Sequence, residues 1–315
     1  MKRKLVSILV PCYNEEASLP YLYKAVRDIM DENENYRWEL LFINDGSKDN
    51  TLPLIRQFAH QDSRISYIDL SRNFGKEKAM LSGFDYVKGD SMILMDADLQ
   101  DPPSLIPEML SLWEDGYDDV YAKRRDRGKE SWLRKKLSLA FYSLLDKSTR
   151  FEVLKNVGDF RLLDRKCIDA LRKLRESERY TKGLFCWIGY RKKEILFDRE
   201  DRLHGSTHWS FLQLASLAIE GFTSFTTAPL RWATFMGLIV AFGALIMMIR
   251  FLIKVLLWGD PVAGFPTLIT VILFLGAVQL ISIGVLGEYM GRIFNESKNR
   301  PVYLVREYHE MQSEK

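Results

Sequence analysis

Two long stretches near the C-terminus carry almost no charge, and they restrict what this chain can fold into more than any other feature. Between Arg231 and Arg250 every residue is uncharged, and apolar character resumes through Phe251, Leu252, Ile253, Val255, Leu256, Leu257 and Trp258. From Pro261 to Gly287 the chain is again uncharged, with its densest apolar part between Thr267 and Leu286. A helix crossing a bilayer needs about 20 predominantly apolar residues, so the pattern predicts a hairpin of two transmembrane helices, about 231–257 and 265–287. A pair of buried core helices is the alternative, but all-round apolarity of this length is unusual in a soluble domain. The turn Gly259–Gly264 lacks Lys and Arg, whereas Arg292, Lys298, Arg300 and Arg306 follow the second segment. By the positive-inside tendency both ends of the hairpin face the cytoplasm, with Arg250 and Lys254 snorkelling to the outer interface.

The remaining chain is long enough for one full domain. The expected division is a cytoplasmic domain at 1–228, the membrane segment at 229–288 and a cytoplasmic tail at 289–315. Cys12, Cys167 and Cys186 are scattered without a CxxC spacing, which indicates neither a disulfide framework nor a zinc site. The apolar run after Lys2, Arg3 and Lys4 is broken by Pro11, Asn14, Glu15 and Glu16, too soon for a secretory signal. A formal net charge of +3 does not argue for nucleic acid, and the basic residues sit beside apolar helical faces.

Within the first 100 residues, short apolar runs alternate with helical patterns: Leu5–Val10, Glu39–Ile43, Ile65–Leu70 and Ser91–Met95 read as strands. Such alternation implies an α/β fold with a mainly parallel sheet covered by helices on both faces, whose ligands bind at the carboxyl ends of the strands. The polar residues there are Asn14 and Glu15, Asp45, Arg72 and Lys76, and Asp96 with Asp98. No GxGxxG or GxxxxGK[ST] occurs, against a dinucleotide oxidoreductase or a P-loop NTPase. Asp96-Ala97-Asp98-Leu99-Gln100 instead follows a buried strand, where alternate side chains point the same way. Hard oxygen ligands of this kind suit Mg²⁺ or Mn²⁺, with substrate phosphates completing the shell.

Together VPCYNEE (Val10–Glu16), INDGSKDNT (Ile43–Thr51), RNFGKE (Arg72–Glu77), DADLQDPP (Asp96–Pro103), NVGDFRLLDR (Asn156–Arg165) and the closing VLGEYMGRIFNESKNRPVY (Val285–Tyr303) resemble the polyprenyl-phosphate branch of glycosyltransferase family 2. Bactoprenol glucosyltransferases look most similar within it, and dolichol-phosphate mannose synthases are relatives. The resemblance implies a Rossmann-like GT-A catalytic domain and inverting transfer of a hexose, glucose or an N-acetylhexosamine, from a UDP-sugar to undecaprenyl phosphate. It implies Pro11, Tyr13, Asn14, Glu15, Asp45, Lys76 and Asp96 as nucleotide-sugar contacts. Asp96, Asp98 and Gln100 become the metal ligands, with Asp98 the centre of leaving-group catalysis. Asp159 becomes a base near the acceptor or a group that orients the sugar, and the alternative for it is a structural pair with Arg161.

The lipid phosphate is expected near cations close to the membrane. One such region runs from Lys123 through Arg124 and Arg134 into an amphipathic helix at about 130–146. A second is Arg202–Trp209, where Arg202, Thr207 and His208 resemble the family's phosphate grip, leading into another interfacial helix at about 208–222. His208 stands where the family carries lysine, and its charge depends on its surroundings. The expected setting is the inner membrane, among membrane lipids and without nucleic acid, with self-association as a homo-oligomer left open. Three rivals stand beside this reading: a transferase using GDP-mannose or UDP-aminoarabinose, a processive synthase, and a non-catalytic nucleotide-sugar or lipid-binding scaffold. The synthase would need more membrane helices and a QxxRW motif. A scaffold would have no use for Asp96, Asp98 and Asp159.

Overall fold

The computed structural model describes residues 3–125, 157–177, 179–197 and 264–312, with scattered positions between 233 and 257. The chain divides into two compact units, residues 1–214 with 301–315, and residues 215–300. Arg134, Arg202, Thr207 and His208, with the helices expected at about 130–146 and 208–222, lie outside the described residues.

The first unit is built on an eight-stranded sheet. In chain order its elements are β1 (Leu5–Cys12), α1 (Leu19–Glu32), β2 (Arg37–Asn44), α2 (Thr51–Gln61), β3 (Ile65–Leu70), α3 (Lys76–Tyr86), β4 (Ser91–Leu94) and α4 (Ile106–Glu114). There follow β5 (Asp119–Arg124), β6 (Val157–Asp164), α5 (Arg165–Lys173), α6 (Thr181–Trp187), β7 (Lys192–Phe197) and, after the second unit, β8 (Val305–His309). The strand order is β7-β5-β6-β4-β1-β2-β3-β8. Strands β3, β2, β1 and β4 run parallel, β6 is antiparallel to both β4 and β5, and β8 is antiparallel to β3.

Burial explains the central strands. Seven of the eight residues of β1 and of β2 are buried, the run expected of a strand covered on both faces. Leu19, Leu22, Tyr23, Val26 and Met30 place one apolar stripe of α1 on that sheet. The chain steps outward from β1 to β2 and β3, then returns to place β4 on the other side of β1. That reversal opens a crevice at the carboxyl ends of β1 and β4, which lead into Tyr13-Asn14 and Asp96-Ala97-Asp98.

Beyond the central strands an internal ion pair organises the sheet. Arg161 of β6 is 1% exposed and its guanidinium lies 3.1 Å from Asp119 of β5, which is fully buried. The ring of Phe185 in α6 stacks 3.8 Å from the same guanidinium. Arg161 is therefore ion-paired with Asp119, and it acts on Asp159 only as a more distant charge.

In the second unit, α7 (Phe265–Ser297) runs past Gly287 to Ser297. Its 33 residues rise about 50 Å, more than the ~30 Å hydrocarbon layer, and its charges begin at Glu288. Phe274–Ser297 is long and apolar enough to cross a membrane, with mean hydropathy 1.4 and only 6% of its apolar window buried. Among the described residues it is the one helix that meets that test. The described positions within 233–257 are helical, and Phe235, Ile239, Phe242, Ile246, Ile249, Ile253 and Leu257 are exposed. The hairpin as a whole stays an expectation of the sequence.

After α7 the chain rejoins the first unit: Val305–His309, read from sequence as part of a tail, forms β8 on the edge of β3.

Removing one member of the Arg161–Asp119 pair strands a charge in the core. Asp119→Ala should cost about 3–5 kcal/mol, read as a lowered urea midpoint of the purified full-length protein followed by tryptophan fluorescence. An unchanged midpoint would contradict the structural role of the pair.

Candidate active site

Four loops meet at the carboxyl ends of β1 to β4, and each contains one residue with positive φ: Asn14 (55°), Gly46 (66°), Gly75 (93°) and Leu99 (56°). For Asn14 and Leu99 this conformation is uncommon, and backbone of this kind persists only where its surroundings hold it. For the first loop the hold is visible. Asn14 N–H donates to Ser47 Oγ at 3.0 Å, Lys48 N–H donates to Asn14 Oδ1 at 2.9 Å, and Glu15 N–H donates to Thr51 Oγ1 at 2.8 Å. Ser18 Oγ donates to the Glu15 carboxylate. Pro11 is half-buried at the end of β1, and Tyr13 presents an exposed ring.

Asp45 joins the second loop to the third. Its two oxygens accept the N–H groups of Phe74 at 2.7 Å and Gly75 at 2.9 Å. Burial pushes its carboxyl up, and those two donors oppose the shift. Expected as a nucleotide-sugar contact, Asp45 clamps the loop that delivers Lys76. Gly46 packs so tightly on that loop that a Cβ would lie 2.5 Å from the Arg72 carbonyl carbon and the Asn73 nitrogen.

Lys76 opens α3 directly after Gly75. Its Nζ lies 2.6 Å from Asp96 Oδ1 and 2.5 Å from Asp159 Oδ2. One ammonium thus spans the carboxylate that follows β4 and the carboxylate of β6, while 42% of its side chain stays exposed. Burial alone would lower the Lys76 pKa, but Asp96 and Asp159 outweigh it and hold the group charged. Burial likewise would raise Asp159, yet Lys76 and then Lys182, whose Nζ is 4.0 Å from Asp159 Oδ1, hold it below the ordinary carboxylate range. That Oδ1 is buried without a hydrogen-bond partner. A carboxylate so stabilised is a poor proton acceptor and a good fixed negative charge.

Leu99, with its positive φ, lets Asp98 Oδ1 accept the Gln100 N–H at 3.2 Å. Gln100 is 8% and Asp101 3% exposed. Asp101 Oδ1 has no hydrogen-bond partner, and Arg124 at the end of β5 is 3.8 Å from it. Burial and then the Asp96 charge push the Asp101 carboxyl up to about 6, against the pull of Arg124.

Among the described residues no three His, Cys, Asp or Glu side chains gather into a closed metal cage. Asp96 and Asp98 with the Gln100 amide fit the open kind of site, in which one or two carboxylates hold Mg²⁺ or Mn²⁺ and a diphosphate completes the shell. The Asp101 oxygen that accepts no hydrogen bond adds to that donor character.

The structure brings Lys76, Asp96 and Asp159 into contact and sets Arg124 beside Asp101, next to the Asp96–Gln100 stretch. Three contributors were not singled out in the sequence. Asp101 lay inside the DADLQDPP stretch without a role. Lys182 sits in a segment with no motif, and only the packing of α6 beside β6 brings it near Asp159. Glu77 accepts the Thr181 N–H at 2.9 Å and ties α3 to α6.

Residues 7–172, more than half of the chain, match glycosyl transferase family 2. The chain belongs to that family. It is a glycosyltransferase, and its sheet and helices are GT-A-like. An uncharacterized glycosyltransferase of Synechocystis sp. is 43% identical over 300 residues, covering 95% of this chain and 94% of that protein. The bactoprenol glucosyl transferase of Shigella phage SfII is 42% identical over 304 residues, covering 96% of this chain and 98% of that protein. Among solved structures, glucosyl-3-phosphoglycerate synthase from Mycobacterium tuberculosis in complex with Mn²⁺ and uridine-diphosphate-glucose is similar at 18% identity. Its TM-score is 0.44, over 69% of this chain and 76% of that one.

The Lys76 bridge makes a pH prediction. With Asp159 held below the ordinary carboxylate range, wild-type transfer shows no acid limb from this group above about pH 5. Lys76→Met removes the main opposing charge, so burial raises Asp159 and an acid limb enters the pH–rate profile nearer neutrality. By the same sign, the Asp159 contribution to wild-type stability is present above the unfolded carboxylate pKa and is lost only as pH falls through the depressed folded value. Superimposable profile shapes for wild type and Lys76→Met would contradict the electrostatic reading.

Proposed function

We propose that the protein moves a hexose, glucose first among the candidates, from a UDP-sugar to undecaprenyl phosphate with inversion at the anomeric carbon. The observation that carries this reading is the meeting of Asp96 and Asp159 on one ammonium, which sets a donor-side and an acceptor-side group at one mouth. The likeness to proteins named bactoprenol glucosyl transferase, which extends over 96% of this chain, supports the acceptor and the sugar.

In the reaction a phosphate oxygen of the lipid forms a bond to C1 of the sugar. The C1–O bond to the diphosphate breaks, its electron pair leaving with UDP. A divalent ion on Asp96, Asp98 and Gln100 would neutralise charge on that leaving group. Lys76 adds a second cation at the same place. The acceptor phosphate is already anionic at neutral pH, so Asp159 acts by orienting the sugar and Lys182 more than by removing a proton. Lys182 and Arg124 supply positive charge for the lipid phosphate, beside Arg134, Arg202, Thr207 and His208 from the sequence reading. Pro11, Tyr13, Asn14 and Glu15 border the nucleoside, with Asp45 shaping the floor of that region through Phe74 and Gly75.

Connectivity supports a two-crossing anchor. The chain leaves the first unit before residue 215 and rejoins it at 301, and β8 is hydrogen-bonded into the catalytic sheet. A segment that starts and ends on one folded domain crosses a bilayer an even number of times. If α7 crosses once, the apolar stretch 231–257 supplies the return, and the positive charges place the catalytic unit in the cytoplasm.

Purified protein with undecaprenyl phosphate and a panel of nucleotide sugars should give a β-linked lipid phosphate from UDP-glucose or a UDP-N-acetylhexosamine, dependent on Mg²⁺ or Mn²⁺. Asp98→Ala should lower turnover by at least about 100-fold with the protein still membrane-bound. Lipid binding without product from any donor would favour the scaffold, and a retained α-linkage would exclude single displacement. For the anchor, a cysteine at Asp260 should react with an impermeant maleimide in intact cells, and one at Glu310 only after permeabilisation. The opposite labelling would overturn the orientation.

A further inference from the structure

The last strand reaches the donor loops through a bulge. Along β3 and β8 the pairs are Ile68 with Tyr308, Asp69 with Glu307 and Leu70 with Val305, with the register shifting between Asp69 and Leu70. One residue of β8 therefore has no opposite number, and it is Arg306. A bulge bends its strand and re-aims the side chain of the extra residue. Arg306 Nη1 lies 3.3 Å from Asp69 Oδ2, and Nη2 donates to the Ser71 carbonyl at 2.6 Å. Ser71 N–H in turn donates to the Leu304 carbonyl at 2.9 Å. Both polar backbone groups of Ser71, the residue that starts the Ser71–Lys76 loop, are thus held by the C-terminal segment.

From Asp69 the contacts continue inward. Its Oδ1 accepts from Asn44 Nδ2 at 2.7 Å, Asn44 Oδ1 accepts the Ser47 N–H at 3.3 Å, and Ser47 Oγ accepts the Asn14 N–H at 3.0 Å. One hydrogen-bonded chain runs from Arg306 through the ends of β3 and β2 to the loop after β1. An exposed ion pair would carry little weight, and the Arg306 side chain is 59% exposed. Its partner is 1% exposed, however, and among the described residues the other side chain bonded to that buried carboxylate is the neutral amide of Asn44. Arg306 is the cation that satisfies it.

We propose that Arg306 is a positioning residue for the donor site, fixing the Ser71–Lys76 loop and through it Lys76, Phe74 and Gly75 where the nucleotide sugar engages them. The inference rests on the reading that these loops hold the donor. It assigns β8 a part in substrate binding, and it places the grip immediately after the segment that returns from α7.

The test uses the full-length protein in detergent with UDP-glucose and undecaprenyl phosphate. Arg306→Leu should raise the KM for UDP-glucose roughly tenfold, the equivalent of one charge-assisted hydrogen bond. Its KM for the lipid should stay within about twofold of wild type, whereas kcat should fall together with donor binding, because the same loop carries Lys76. Arg306→Lys keeps the charge on Asp69 and should recover the thermal midpoint and part of the donor KM. In Arg306→Leu/Asp69→Asn no buried charge is left unpaired, so the thermal midpoint should return to near wild type. Ser71 still lacks its guanidinium there, and the donor KM should remain raised. A wild-type KM in that double variant, or in a folded Arg306→Leu, overturns the proposal while leaving the transferase reading intact. If wild-type protein neither binds nor uses a UDP-sugar, the transferase reading falls and this proposal with it.

Discussion

Two carboxylates that belong to different halves of the site share one ammonium. Asp96 arrives from the end of β4 and Asp159 from β6, and Lys76 contacts both at 2.5–2.6 Å. Without a cation between them, two such groups would repel, and burial would push at least one toward its neutral form. The remaining architecture delivers that cation. Asp45 accepts the N–H groups of Phe74 and Gly75, Gly75 takes a positive φ, and α3 starts with Lys76 aimed at the crevice beside β1 and β4. The parallel strands set the height of the crevice, and the antiparallel β6 carries Asp159 in from the other side.

This arrangement separates the duties of the acidic residues. Asp96 and Asp98, at the open end of β4, keep oxygens suited to a hard cation and a diphosphate. Asp159 is held ionised in a nearly buried position, where it serves as a fixed charge. Asp119 begins β5, at the opposite end from Arg124, and neutralises Arg161, which the sequence had offered as a partner for Asp159. Two arginine–aspartate pairs, Arg161 with Asp119 and Arg306 with Asp69, follow one rule: a buried carboxylate is tolerated where a guanidinium meets it.

Much of this was legible in the order of residues. The alternation that gives β1 to β4, the polar residues at their carboxyl ends and the long apolar helix are local patterns, and a period of 2 or 3.6 records them directly. What escaped depends on contacts distant in sequence. β8 carries Arg306, Glu307 and His309 in a short edge strand, a composition that keeps an exposed edge from self-pairing and resembles a solvated tail. Lys182 reaches Asp159 only because α6 packs beside β6. Asp45 stands at the carboxyl end of β2, as the strand pattern implied, but its commitment to two backbone N–H groups is a property of loop geometry that no motif spells out. Arg124 stands beside Asp101, as its place at the end of β5 allows, whereas the other expected phosphate ligands lie outside the described residues.

If one ammonium holds both carboxylates in place, Lys76 and Asp159 act as one unit. A double-mutant cycle on kcat/KM with Lys76→Met, Asp159→Asn and the double variant tests it most directly. The double variant should lose little more than the worse single variant, a coupling above about 1 kcal/mol. Losses that simply add would show that the two side chains work independently and that the shared ammonium does not couple them.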